Sequence, residues 1–312
     1  MKLLRQVANL PDELRHGAVA IGNFDGVHRG HARIVARLLQ RARAVGGPAV
    51  VFTFDPHPVR ILRPALAPPP LTWTDRKAEL LASLGVDAVI AYPTDEELLR
   101  LTADEFFQRI VRETLSAKAI VEGPNFCFGR NRAGTIEVLR TLAGAAGIEL
   151  DVVEPLIEEG QIVSSSRVRT LIAEGDVTTA RRLLTEPYRI RGMVVHGAGR
   201  GAKLGFGTAN LNAIDTLLPA VGVYAGRAFM NNTVWPAAIN IGPNPTFGGA
   251  ELKVEAHLLD WDGAPLYGQP LEIDFLARLR GVRQFAGVEE LKQQLTADVA
   301  AARRENDTFL AR

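Results

Sequence analysis

The run Gly22-Asn23-Phe24-Asp25-Gly26-Val27-His28-Arg29-Gly30-His31 has the residue types and spacing that phosphate chemistry requires. Its glycines let the backbone approach an anion. A helix starting here would add free N–H groups and the positive end of its dipole. His28 and His31 stand three residues apart, so both imidazoles can face one phosphate chain. There they can donate to oxygens that gain charge when phosphorus is attacked. The bland alternative is a set of capping and turn residues with two solvated histidines. It weakens once the run is placed after a strand and before a helix. Later, Ser164-Ser165-Ser166-Arg167-Val168-Arg169 opens another helix with three hydroxyls and two guanidiniums, a second set of anion donors. By itself this run reads as an ordinary serine cap with surface arginines.

The second half of the chain offers different chemistry. Gly197, Gly199, Gly201, Gly205 and Gly207 are interleaved with Arg200 and Lys203, and Thr208-Ala209-Asn210 follows directly. A basic, glycine-rich loop suits close contact with a phosphate chain, with Gly199 and Lys203 as candidates to touch it. On composition alone it reads equally as a solvated hairpin loop. A Thr208 hydroxyl and an Asn210 amide oxygen are hard ligands suited to Mg²⁺, and the Glu255 carboxylate can accept a proton from an attacking hydroxyl. Otherwise Glu255 is a surface strand carboxylate. His257, on the same side two residues on, reads as structural. No G-x-x-x-x-G-K-[ST] sequence occurs, which excludes a P-loop kinase.

These residues need elements to position them. Short Val- and Ile-rich runs at 18–21, 49–54, 86–92, 119–122 and 149–153 are apolar on both faces, as strands of a covered parallel sheet are. Helical patterns at 32–45, 76–84, 103–115 and 136–145 lie between them. In the first, Arg33, Arg37 and Arg41 recur opposite an apolar face. The alternation predicts right-handed βαβ units in a doubly wound sheet, with ligands beyond the carboxyl ends of its strands. After about residue 186 strand follows strand, at 190–195, 223–230, 234–241, 253–259 and 271–276. One helix at 288–303 closes an antiparallel barrel. The expected domains are therefore 1–185 and 186–312.

The 312 residues suffice for two cores. The 36 Lys and Arg against 35 Asp and Glu argue against a chain held to nucleic acid or membrane by bulk charge. One cysteine, Cys127, excludes an intramolecular disulfide framework. No apolar run approaches a membrane helix or signal peptide, so the expected location is cytoplasmic. Oligomeric state stays open, a homo-oligomer included.

GNFDGVHRGH followed by SSSRVR resembles the nucleotidylyltransferase module of the bifunctional prokaryotic riboflavin kinase/FAD synthetase family. Gly199–Asn210, Asn240-Ile241-Gly242 with Pro245-Thr246-Phe247, and Val254–Asp260 with Leu266-Tyr267-Gly268 resemble its riboflavin kinase barrel. The resemblance implies a Rossmann-like adenylyltransferase domain and an antiparallel β-barrel kinase domain with a C-terminal helix. It implies ATP, riboflavin, FMN and FAD as substrates and products, with Mg²⁺ accompanying ATP. It gives His28 and His31 to the ATP phosphates and Asn23 to the nucleotide site. Ser165, Ser166 and Arg169 would stabilise the pentavalent phosphorus and leaving pyrophosphate. Flavin-binding segments fall at Thr53–Pro58 and Gly123–Gly129, giving Phe54, Asn125 and Phe128; the family often has Asp where this chain has Asn125. Phe126 reads as a core aromatic. In the kinase half the resemblance makes Thr208 and Asn210 the Mg²⁺–ATP residues and Glu255 the base for the ribityl 5′-hydroxyl, an oxygen-rich trio expected inside the β-cylinder.

Two departures bear on the kinase. Gly207 stands where the family usually has Pro, which loosens the metal-binding loop by about 0.4–1 kcal/mol of unfolded-state entropy. Val282 stands where it usually has Glu. They motivate a second reading, a monofunctional FAD synthetase with an impaired barrel. A third is a flavin-binding protein without turnover, for which retaining His28, His31, Thr208, Asn210 and Glu255 together has no use. A fourth is nucleotidyl transfer to a different phosphate, which the kinase-like barrel and the Asn125 segment oppose.

Overall fold

The computed structural model describes residues 1–7, 10–197, 201, 204–243, 252–262 and 264–311. The chain divides into two compact units, Met1–Pro68 with Trp73–Ser164, and Pro69–Thr72 with Ser165–Arg312.

In the first unit six strands form one sheet: β1 (Lys2–Leu4), β2 (Ala18–Ile21), β3 (Ala49–Asp55), β4 (Ala88–Pro93), β5 (Ala119–Glu122) and β6 (Glu149–Val152). Their order is β1-β4-β3-β2-β5-β6, with every pairing parallel. The helices are α1 (Arg29–Val45), α2 (Pro58–Leu62), α3 (Thr74–Ser83), α4 (Glu96–Arg100), α5 (Ala103–Phe106), which runs into a π-helical stretch Phe107–Thr114, and α6 (Ile136–Ala146). Both sheet faces are covered, which is why the strands are apolar at successive positions rather than alternate ones. Val19, Ile21, Phe52, Ile90 and Ile120 pack with Phe106, Ile110 and Leu139. Their chain neighbours Ala18, Ala20, Val51 and Val121 pack with Val35, Leu38 and Leu81. Each large side chain so buried contributes roughly 1.5–3 kcal/mol.

The polar side of α1 is also spent inside this unit. Arg37 and Arg41 each donate from Nε to Asp151 at 2.5 Å, and Arg41 also reaches Glu149 at 2.5 Å. The Arg41 hydrogen bond, helped by Arg37, holds the Asp151 carboxyl below its usual range. A small hairpin, β7 (Ile157–Glu158) with β8 (Gln161–Ile162), follows β6.

The sheet reverses its winding between β2 and β5, since β3 and β4 lie to one side of β2 and β5 and β6 to the other. Those two strands pair only at Ala18↔Ala119 and Val19↔Ile120 and separate beyond. Such a switch point opens a crevice at the carboxyl ends of the strands, where the 22–31 run emerges.

The second unit begins with α7 (Ser165–Glu174) and α8 (Val177–Leu183). Its strands are β9 (Tyr188–Val195), β10 (Ala209–Asn212), β11 (Gly222–Met230), β12 (Thr233–Pro243), β13 (Leu252–Leu258) and β14 (Pro270–Arg280). They close an antiparallel barrel in the order β10-β13-β12-β11-β14-β9. The closing helix α9 (Val288–Leu310) runs longer than its pattern suggested and docks through buried Asn306, whose Nδ2 donates to Gly226 O at 3.0 Å. The α/β sheet and the antiparallel barrel are those expected. The short β1 and β10 were not anticipated, and α7 and α8 group with the barrel as a compact unit. No helix among the described residues is long and apolar enough to cross a membrane.

Candidate active sites

The 22–31 loop is under backbone strain. Phe24, Gly26 and Val27 take φ of 46°, 82° and 40°, a region unfavourable for Phe and more so for β-branched Val. Phe24 and Val27 are nevertheless buried. Burial of these side chains holds the turn, and strain of this kind gathers at functional sites. The turn delivers His28 as N-cap of α1, where its Nδ1 accepts the His31 backbone N–H at 3.3 Å. That bond settles the tautomer: Nδ1 carries the lone pair, so the proton of neutral His28 is on Nε2. Burial draws the His28 pKa down to about 4, with Asp25 opposing, so the ring is neutral near pH 7. His31 stacks on it with ring centroids 3.7 Å apart and planes at 17°. Burial, then His28, then Lys77 push the His31 pKa well down. Its Nδ1 is buried with no hydrogen-bond partner. A lone pair there is cheaper than an unsatisfied N–H, so His31 too bears its proton on Nε2. The crevice thus presents two neutral N–H donors at a helix N-terminus. Gly30 is required beside them, since a Cβ there would lie 3.0 Å from His28 Cε1 and Nδ1 and 3.2 Å from the Val163 carbonyl oxygen.

Three residues of this site were not singled out from the sequence. Lys77 on α3 is only 8% exposed and donates to Thr53 Oγ1 at 3.3 Å. Thr53 in turn donates to Asn23 O at 3.2 Å. Burial lowers the Lys77 pKa, with Asp25 and Asp55 opposing. Glu122 ends β5 and takes the Ile21 N–H at 2.6 Å, where β2 has left its partner strand. Burial raises its pKa, with the Ile21 N–H opposing. Asn23, expected at the nucleotide site, has a buried Oδ1 without a partner.

Of the expected flavin residues, Phe54 is half-buried at the end of β3, edge-on to Phe52 at 5.6 Å, and Asn125 is exposed. Phe128 is 6% exposed and packs on Phe106 and against Gly134, to which it is bridged. Phe126, stacked on it at 5.5 Å, is the more exposed ring, the opposite order to that expected. Ser165 and Ser166 open α7 and Arg169 lies one turn on, with its Nε donating to Pro69 O at 3.3 Å, all within the second unit.

In the barrel, Asn210, Glu255 and Asn240 are register partners across β10, β13 and β12. Glu255 Oε2 accepts from Asn240 Nδ2 at 3.3 Å, and Oε1 from Lys253 Nζ at 2.6 Å. Glu255 and Asn210 are not inside the cylinder as expected. Val254, Ala256 and Leu258 fill the interior, and strand alternation turns Glu255, and with it Asn210, to the outer face. Asn210 is buried there because loop backbone covers it, a Cβ on Gly197 falling 2.1 Å from its Nδ2. Its Oδ1 has no hydrogen-bond partner, while Nδ2 donates to Thr208 O at 3.5 Å. An unpartnered hard oxygen beside a threonine fits a Mg²⁺–phosphate ligand. The segment before Thr208 is clamped: His257 Nδ1 donates to Gly207 O at 2.7 Å and its ring meets Phe206 edge-on. Val282 is exposed. Gly199 and Lys203 lie outside the described residues.

Both halves of the chain match known families. The FAD synthetase family model matches residues 10–167 and the riboflavin kinase model matches 184–305. A bifunctional riboflavin kinase/FMN adenylyltransferase from Pseudomonas fluorescens is 38% identical over 304 residues, covering 97% of each chain. The chain belongs to that family. Relatives of the same name include those of Escherichia coli K12, 34% identical over 305 residues with 97% of each chain covered, and Bacillus subtilis 168, 33% identical over 301 with 95% of this chain and 94% of that one. A solved Streptococcus pneumoniae structure, described as a macrolide-efflux protein, is 31% identical with a TM-score of 0.85, covering 97% of this chain and 98% of its own. Within the family the crevice belongs to the FAD synthetase part and the outer-face row to the riboflavin kinase part.

Proposed function

We propose that residues 1–185 carry adenylyl transfer and residues 186–312 carry riboflavin phosphorylation. The chain is a bifunctional flavin-cofactor enzyme: riboflavin and ATP give FMN and ADP, then FMN and ATP give FAD and pyrophosphate. The observation that carries the site assignment is the α1 cap, where His28 spends Nδ1 on the His31 N–H and the stacked, neutral rings keep Nε2–H as their donors. In adenylyl transfer an FMN phosphate oxygen attacks the α-phosphorus of ATP and the bond to pyrophosphate breaks. The residues need only align the groups and stabilise charge. His28 and His31 do so at the phosphates, with Asn23 at the nucleoside and Phe54, Asn125 and the Phe126–Phe128 stack at the flavin. For Ser165, Ser166 and Arg169 the proposal rests on their sequence motif. In the kinase Glu255 takes the proton of the ribityl 5′-hydroxyl, with Lys253 and Asn240 each holding one carboxylate oxygen. The Thr208 hydroxyl and Asn210 Oδ1 would hold Mg²⁺ with ATP, and Gly199 and Lys203 would contact its phosphates. Bound Mg²⁺ would neutralise charge on the phosphates. Because both steps consume ATP, a cytoplasmic location belongs to the same proposal.

Chromatography of products from riboflavin, ATP and Mg²⁺ tests this. His28→Ala or His31→Ala should abolish FAD and spare FMN, whereas Glu255→Gln should cut FMN formation by about 10²-fold and spare FAD formation from supplied FMN. Loss of both products from one histidine variant would contradict separate sites. An inert barrel is not favoured, because the riboflavin kinase model matches residues 184–305 and the relatives that span the chain carry the bifunctional name.

A further inference from the structure

Asn23, Thr53 and Lys77 come from the crevice loop, from β3 and from α3, and two hydrogen bonds join them into a chain. Its polarity is fixed. The ammonium of Lys77 can only donate, so Thr53 Oγ1 accepts there and spends its single proton on the Asn23 carbonyl. All three are partly or fully withdrawn from water, Thr53 completely. The chain ends on the residue whose amide Oδ1 is buried and without a partner. That oxygen can only accept. ATP offers an acceptor its ribose hydroxyls and exocyclic amine, while its ionised phosphates offer no proton.

We propose that Lys77 is a positioning residue of the adenylyl-transfer site: through Thr53 it locks the Asn23 backbone so that the Asn23 amide oxygen receives a nucleoside O–H or N–H. The proposal rests on the reading of His28 and His31 as ATP ligands and adds a determinant for the nucleoside end. Lys77 faces Asp25 from the loop and Asp55 from β3, while His31, with His28 stacked on it, completes the charged and titratable surroundings. A cation serving only to neutralise those two carboxylates would leave nucleotide affinity untouched once the protein had folded. A positioning cation leaves a specific kinetic signature. The nucleoside does not react, so loosening its contact removes binding shared by ground and transition states. KM for ATP then rises and kcat holds.

The test is steady-state FAD formation by the full chain, with FMN formation by the same preparation as a control. Thr53→Val should raise the KM for ATP about tenfold with kcat within threefold. Thr53→Ser, which keeps the hydroxyl, should bring KM back. Lys77→Met should raise KM likewise and also move the acid limb of the FAD-forming rate to higher pH, because a positive neighbour of His31 has gone. Should Lys77→Met fail to fold, the Thr53 pair still decides. An unchanged KM for ATP in Thr53→Val, or equal damage from Val and Ser, overturns the proposal. His28→Ala and His31→Ala run alongside: FAD formation persisting in both overturns the histidine reading, whereas their inactivity with a normal Thr53→Val overturns the Lys77 proposal alone.

Discussion

Replacing Gly30 with alanine adds one methyl group in the first turn of α1, directly against the ring of His28. The new Cβ would stand 3.0 Å from Cε1 and Nδ1 of that ring and 3.2 Å from the Val163 carbonyl oxygen. Ordinary contacts between carbon atoms lie at about 3.5–4.0 Å, so the imidazole must retreat or tilt by roughly half an ångström. Alanine favours a helix over glycine by up to about 1 kcal/mol, which offsets the strain, so overall stability should change little. Activity should not be spared. Misplacing a reacting group by about 1 Å costs on the order of 10²-fold, so half that displacement implies about a tenfold loss of kcat/KM in FAD formation, or about 1.4 kcal/mol. The assay is chromatographic, FAD from FMN and ATP and FMN from riboflavin and ATP, with a thermal melt on the same sample. Only the first rate should fall. Wild-type kcat/KM for FAD in Gly30→Ala would refute the idea that the placement of His28 matters.

Three other outcomes follow from the structure. The His28 imidazole should titrate near pH 4 rather than near 6.5, as read by NMR on ring-labelled protein. Its folded pKa is depressed, so the stability it contributes is present above pH 6.5 and is lost as pH falls toward 4. Glu122 behaves oppositely: its folded pKa is raised, so its contribution is complete below the unfolded pKa and is lost as pH rises through the folded one. Glu122→Gln keeps an acceptor for Ile21 N–H and should flatten the decline of the melting temperature as pH rises above the unfolded carboxylate pKa, which a variant with the wild-type pH dependence would contradict. Gly207→Pro, at a position with open space for a side chain, should stabilise the second unit by about 0.4–1 kcal/mol and leave or improve FMN formation, measured by melting and rate; a lower melting temperature would contradict this.

Much of the architecture was legible because its signals are local. The alternation of apolar runs and amphipathic stretches up to Leu184, and the change to consecutive strands beyond, follow from covering a sheet on two faces and closing a sheet on itself. His28 and His31 were legible for the same reason: their spacing and the glycines around them are adjacent in sequence. What escaped depends on partners far away along the chain. Lys77 occurs in a stretch that reads as an ordinary solvated helix, and only its placement on the same face as Leu80 and Leu81 hinted that it is buried. Thr53 looks like any β-branched strand residue, because its role lies in bonds to Asn23 and Lys77, 30 and 24 residues off. Glu122 terminates an apolar strand, and the reason for a carboxyl there is visible only where β2 and β5 part. In the barrel the sequence named Asn210 and Glu255 but put them on the wrong side of the wall, because that side depends on which of two alternating faces the core claims. β10 was missed since four residues with two asparagines carry little strand propensity, and its pairing with β9 and β13 outweighs it.

The closed cylinder of the second unit has a consequence for how this protein withstands crowding by its own copies. With β9 and β10 joined, the described strands of that wall close on themselves and leave no edge strand. The six-stranded sheet of the first unit has two such margins, at β1 and β6, and they are three and four residues long. Lys2, Glu149 and Asp151 place charge along them, which discourages further strand addition, and Asp151 is anchored in turn by Arg37 and Arg41. In the six-stranded parallel sheet, vulnerability to intermolecular β-assembly therefore lies at its two rims, guarded by a few ionised side chains rather than by topology.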